Sequence, residues 1–142
     1  AVLPYLQVDP KSAYDIDLEV IIKPEAGEET IISKSNTKYL YWSVTQQIAH
    51  HSVNGCNLRI GDLYASGTIS APEETGYGSM LELTWRGTKP LKLSDGTERK
   101  FINDSDTVIM RAYAQANGER IGFGEVATTI LPAIANKWEK IK

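Results

Sequence analysis

The dipeptide Asn117-Gly118 lies between two long runs, residues 107–116 and 119–130, and restricts the fold more than any other feature of the chain. Both residue types tolerate the positive φ angles of a tight two-residue turn, so the flanking runs are predicted to pair as an antiparallel hairpin. Asp95-Gly96 repeats the signal between residues 91–93 and 97–102. Alternation adds a strand at residues 15–22. There Ile16, Leu18, Val20 and Ile22 fall on one face, and Asp15, Asp17 and Glu19 on the other. Residues 23–29, with Pro24 and Gly27, then read as a turn, and residues 30–34 as the strand that pairs back.

Only one segment has convincing helical signals. Ser43 is followed three residues later by Gln46 as in a capping box, Val44 and Ile48 are four apart, and Asn54-Gly55 supplies a left-handed stop. A helix over residues 44–53 is expected. Beyond Gly61 the chain reads as extended structure at residues 63–66 and 68–70. A loop follows at 71–78, then a strand at 79–85 with Leu81, Leu83 and Trp85 opposed to Met80, Glu82 and Thr84. The sum is one mainly β domain of antiparallel hairpins with one short helix, without repeats or linkers.

Composition narrows the function. At 142 residues the chain is large enough for a domain core, and 15 basic against 18 acidic residues leave a net charge of -3. That balance has no basic surplus to match a phosphate backbone, which argues against nucleic acid as a partner. Apolar runs such as Val20-Ile21-Ile22 fall far short of the ~20 residues that cross a bilayer. A single cysteine, Cys56, excludes an internal disulfide and suits a reducing compartment. The only histidines, His50 and His51, are adjacent, so no metal-ligand set is expected within the chain. No signal or transit pattern is visible, and the chain opens at Ala1 rather than methionine, as a trimmed product or a piece of a longer protein would.

No GxGxxG nucleotide fingerprint, Walker loop, HExxH or GxSxG motif is present, and Gly122-Phe123-Gly124 lies inside a predicted strand, where it reads as a bulge. Three places could carry chemistry. His50 or His51 could act as a base, or simply set a cation-capable ring at a helix C-terminus. Neighbouring Cys56 reads as a small hydrophobe unless a base lies near it. Gly67-Thr68-Ile69-Ser70 could offer hydroxyl and backbone hydrogen bonds to a small anion, or could be an ordinary strand end. Glu82 belongs to the wet face of a sheet if solvated; if buried, it needs a partner and points to a site.

Longer runs decide between these readings. The stretches Tyr41-Trp42, Gln46-Gln47, His50 through Arg59, Gly61-Asp62-Leu63, Gly67-Thr68-Ile69-Ser70, Met80 through Trp85, Gly87-Thr88-Lys89 and Ile121 through Gly124 closely resemble the fumarylacetoacetase family. The resemblance covers nearly the whole chain and corresponds to the C-terminal third of such an enzyme, a segment of its β-sandwich roll. It implies hydrolysis of a carbon–carbon bond in 4-fumarylacetoacetate, the last step of tyrosine and phenylalanine breakdown. It also implies a homodimer in the cytoplasm, with Ca2+ or Mg2+ held by carboxylates upstream of this segment.

A histidine upstream serves the family as general base, and the glutamate that orients it matches Glu82, the one catalytic position carried over. The threonine that hydrogen-bonds substrate matches Thr68. No role carries over to His50 or His51. The isolated segment, lacking base and metal ligands, is expected to be inactive. Related members of the fold act on acylpyruvates or decarboxylate oxaloacetate, and a complete chain of this length would be a non-catalytic module. Departures from the family pattern are Ile60 for proline, Ala71 and Ser105 for glycine, and Glu125 for glutamine. Ala71 would disturb the Thr68 loop if its position required positive φ.

Overall fold

The alternating run forms strand β1 (Asp17–Lys23), which turns at Pro24–Gly27 and pairs antiparallel with β2 (Thr30–Asn36). This computed structural model describes residues 1–7 and 13–134. The predicted alternation does not show in the burial of β1, whose first four residues, Asp17 through Val20, are all half-buried. A register shift between Val20 and Ile21 breaks the period, and both Ile21 and Ile22 are wholly buried. A bulge bends its strand and re-aims the side chains that follow, so the faces assigned by strict period two do not persist past it.

Helix α1 (Val44–Ser52) has the predicted capping box in both directions. Ser43 Oγ accepts from the Gln46 amide, and Gln46 Oε1 accepts from the Ser43 amide. Gln46 is itself buried, and its side-chain amide donates to the Leu6 carbonyl at 2.9 Å, tying α1 to the N-terminal turn. Gly55, with φ of 90°, stops the helix as expected.

Residues 79–85 depart from the sequence reading. They form no strand. Ser79 caps a single helical turn, α2 (Met80–Leu83), by accepting from the Glu82 amide. The alternation of Leu81, Leu83 and Trp85 was a coincidence of spacing, and Ser79-x-x-Glu82 is the capping signal that outweighs it. After α2 the chain passes through Trp85 (φ 49°) and Arg86 (φ 58°) before Gly87. Bulky residues in this region are uncommon, and here the surroundings fix them: the Arg86 amide donates to Leu81 O at 2.8 Å and the Gly87 amide to Thr84 Oγ1 at 3.0 Å. Residues 63–70, expected to contain two short extended runs, join no ladder.

Asp95-Gly96 closes a small hairpin of β3 (Leu91–Lys92) and β4 (Glu98–Arg99), shorter than the flanking runs suggested. It docks on β2 through Thr30 and Ser94, whose hydroxyls lie 2.9 Å apart. Asn117-Gly118, at φ of 52° and 82°, joins β5 (Thr107–Ala116) to β6 (Glu119–Thr129) as predicted. The four long strands make one antiparallel sheet in the order β2-β1-β5-β6. Opposite Ala112, the ladder skips across Phe123 and Gly124, and Gly124 takes a φ of 79°, so the glycine pair does mark a bulge.

Candidate functional site

Cap geometry presents Glu82. It is the third residue of α2, where a carboxylate meets the positive end of the helical turn, and its side chain is exposed rather than buried. Two hydroxyls hold it. Ser79 Oγ donates to Glu82 Oε2 at 3.0 Å, and Ser70 Oγ donates to the same oxygen at 2.8 Å. Neither of the two sequence readings therefore applies: Glu82 is on no sheet, and it has partners without being buried. The capping motif could have revealed Ser79. Ser70 lies twelve residues before Glu82, and no local pattern announces it.

Thr68 lies two residues before Ser70. It lines a cavity of about 420 Å3 between the 67–69 segment and the sheet, with Leu18 and Val20 of β1, Met110 of β5 and Phe123 of β6. Gly78 joins the two places. Its amide donates to Ser70 Oγ at 3.1 Å, and a methyl built on it would sit 2.5 Å from Thr68 Cγ2 and 2.8 Å from the Ile69 carbonyl oxygen. Only glycine lets these backbones approach so closely. Glu82 itself borders a second, more open hollow of about 590 Å3 with Tyr77, Leu81, Trp85 and Arg86. The two predicted residues thus stand on either side of the Ser70–Gly78 junction and not in one cavity.

Ala71 does not take positive φ. Its amide donates to Gly76 O at 2.8 Å, and its buried methyl packs where a side chain on Gly76 would otherwise fall. The methyl is accommodated without a positive φ.

His50 and His51 are not partners of Glu82. The Tyr5 hydroxyl lies 3.0 Å from His50 Nδ1, while His51 Nε2 lies 3.3 Å from Cys56 Sγ and packs edge-on against Tyr64. Cys56 does have a base beside it, a contact the sequence reading could not supply. Tyr64's phenol is pushed above its usual range by loss of solvent first, and then by its electrostatic coupling to Asp62 and Cys56. Among the described residues no three His, Cys, Asp or Glu side chains gather as a group that could hold a metal ion.

The described residues thus define a mainly antiparallel β protein in which one carboxylate is held between two hydroxyls, near a hydroxylated segment that lines a cavity. Residues 4–131 match the C-terminal fumarylacetoacetate (FAA) hydrolase family model. The chain belongs to that family. It is 56% identical to human fumarylacetoacetase over 133 residues, which is 93% of this chain and 32% of the relative. Against the fumarylacetoacetase of Dictyostelium discoideum it is 52% identical over 134 residues, and against that of Arabidopsis thaliana 49% over 132. The chain spans about a third of the length of these curated relatives, 32% and 31% of each.

Proposed function

We propose that this chain is the C-terminal part of the catalytic domain of a fumarylacetoacetase, which hydrolyses 4-fumarylacetoacetate to fumarate and acetoacetate in the catabolism of tyrosine and phenylalanine. The observation that carries the reading is the carboxylate of Glu82, exposed yet fixed by two hydroxyls on one oxygen, Oε2. A histidine general base needs its ring held in one orientation and its positive charge stabilised as it takes a proton from water, and a fixed carboxylate does both. Thr68, at the cavity mouth, supplies a hydroxyl to a substrate oxygen.

In the reaction, water activated by that histidine adds to a carbonyl carbon, and the carbon–carbon bond then breaks. The water oxygen ends in the fumarate carboxylate, and the acetoacetate carbon takes up a proton. The base, and the carboxylates for Ca2+ or Mg2+, belong to parts of the enzyme outside this segment. A bound cation would stabilise the enolate charge that forms as the bond breaks. The same reading makes the enzyme a cytoplasmic homodimer. No helix of the described residues is long and apolar enough to cross a membrane.

In the full-length enzyme, Glu82→Gln is expected to keep the thermal transition and KM near their wild-type values while kcat falls by about 100-fold or more, on the scale of a lost orienting carboxylate. Wild-type turnover would remove Glu82 from the mechanism. A preference of the intact enzyme for acylpyruvate or oxaloacetate over fumarylacetoacetate would move the chain to another branch of the family.

A further inference from the structure

Ser70 Oγ has one proton. Because it accepts the Gly78 amide at 3.1 Å, that proton is left for Glu82 Oε2, 2.8 Å away. Ser79 is wired in the same sense: its oxygen accepts the Glu82 amide at 3.3 Å and its proton goes to Oε2 at 3.0 Å. Both bonds end on one oxygen, and Oε1 takes neither. The two serines nevertheless do different things. Ser79 belongs to the same helical turn as Glu82, so its bond fixes the carboxylate only with respect to α2. Ser70 comes from the segment that carries Thr68, so its bond fixes the carboxylate with respect to that loop. Gly78 keeps the junction close, since any side chain there would run into Thr68 and the Ile69 carbonyl.

We propose that Ser70 is a positioning residue for the hydrolysis: it holds Glu82 by Oε2, leaves Oε1 for the imidazole base, and sets the base at a fixed distance from the substrate bound at Thr68. This rests on the role given to Glu82 above. A misplacement of an ångström or less in such a constellation is enough to lower a rate severely, so the bond is worth more to turnover than to stability.

The test is a double-mutant cycle in the full-length enzyme, with fumarylacetoacetate as substrate. Ser70→Ala is expected to lower kcat about 10- to 100-fold, the range for a lost hydrogen bond to a charged group, with KM within about two-fold of wild type. Ser70→Thr, which keeps the hydroxyl, should recover most of the rate. In the Glu82→Gln background, adding Ser70→Ala should change kcat by less than about two-fold, because residues that act as a unit are not additive. If Ser70→Ala does not fold, Ser70→Cys, a weaker donor of similar shape, is expected to show the same loss. Wild-type kcat in the alanine variant, or an equal loss in both backgrounds, would overturn the proposal while leaving Glu82 in place. Wild-type turnover by Glu82→Gln alone would instead remove both.

Discussion

Ser105 has a φ of 69°, in the left-handed region that favours glycine. Its amide donates to the Ile130 carbonyl at 2.8 Å, and the bond holds the turn in place ahead of β5. A side chain in the left-handed region costs roughly 1–2 kcal/mol, because Cβ crowds the following carbonyl. Glycine avoids that clash but loses more backbone entropy on folding, roughly 0.5–1 kcal/mol. Ser105→Gly is therefore expected to stabilise the protein by about 0.5–1 kcal/mol, seen as a higher urea midpoint with an unchanged m-value. A midpoint that stays or falls would show that the serine side chain returns the cost elsewhere. Gly78 presents the opposite case. It takes no positive φ, and it is restricted instead by how closely Thr68 and Ile69 pack against it.

Elements are joined here by few strong ties, and the strongest links β4 to the turn before β5. Arg99 makes a bidentate pair with Asp106, Nε to Oδ2 at 2.8 Å and Nη2 to Oδ1 at 2.9 Å, and Asp106 is 1% exposed. The bonds from Arg99, joined by one from the Asn103 amide, hold the Asp106 carboxyl below its ordinary range against the opposing effect of burial. A carboxylate with a depressed folded pKa contributes stability that is complete above its unfolded pKa, near 4, and is lost as pH falls through the folded value. Wild-type stability should thus decline below about pH 4, and Asp106→Asn, which leaves a mostly buried guanidinium without its counter-charge, should cost about 3 kcal/mol at pH 7. The difference between the two proteins should shrink on acidification; urea unfolding at a series of pH values reads both effects, and a constant gap would refute the assignment. Elements with their own local chemistry were legible in the sequence. Asn117-Gly118, Asp95-Gly96 and the Ser43 capping box act within a few residues, and each is found where it was expected. Residues 79–85 misled because a four-residue helical turn is too short to display a period of its own, while chance alternation imitated a strand. The partners of Glu82 follow the same division: Ser79 is local and legible, whereas Ser70 arrives by tertiary folding, as does His51 beside Cys56.

At the scale of the whole molecule, the described residues bury few apolar side chains for so long a chain. Leu6, Ile21, Ile22, Ala71, Leu93 and Ile109 are inside, while Leu63, Ile121, Phe123, Val126 and Leu131 are more than half exposed. Strand β6 has eleven residues, is exposed along its length, and lies at the edge of the sheet with one side of its backbone unpaired. A bulge at Phe123-Gly124 and charges at Glu119, Arg120 and Glu125 blunt this edge in part, but Ile121, Phe123 and Val126 remain exposed on it, and a long edge strand with an unpaired backbone row can take up another strand. The relatives are about three times as long as the stretch matched here, since the match takes 32% of human fumarylacetoacetase. The 142-residue chain produced alone is accordingly expected to show no hydrolysis of fumarylacetoacetate and to self-associate with rising concentration in sedimentation velocity. Val126→Lys, which places a charge on the exposed edge strand, should lower the associated fraction of the isolated chain without restoring activity. A monodisperse monomer at every concentration would mean that the sheet closes its own edge, and turnover by the isolated chain would mean that the base lies within these residues after all.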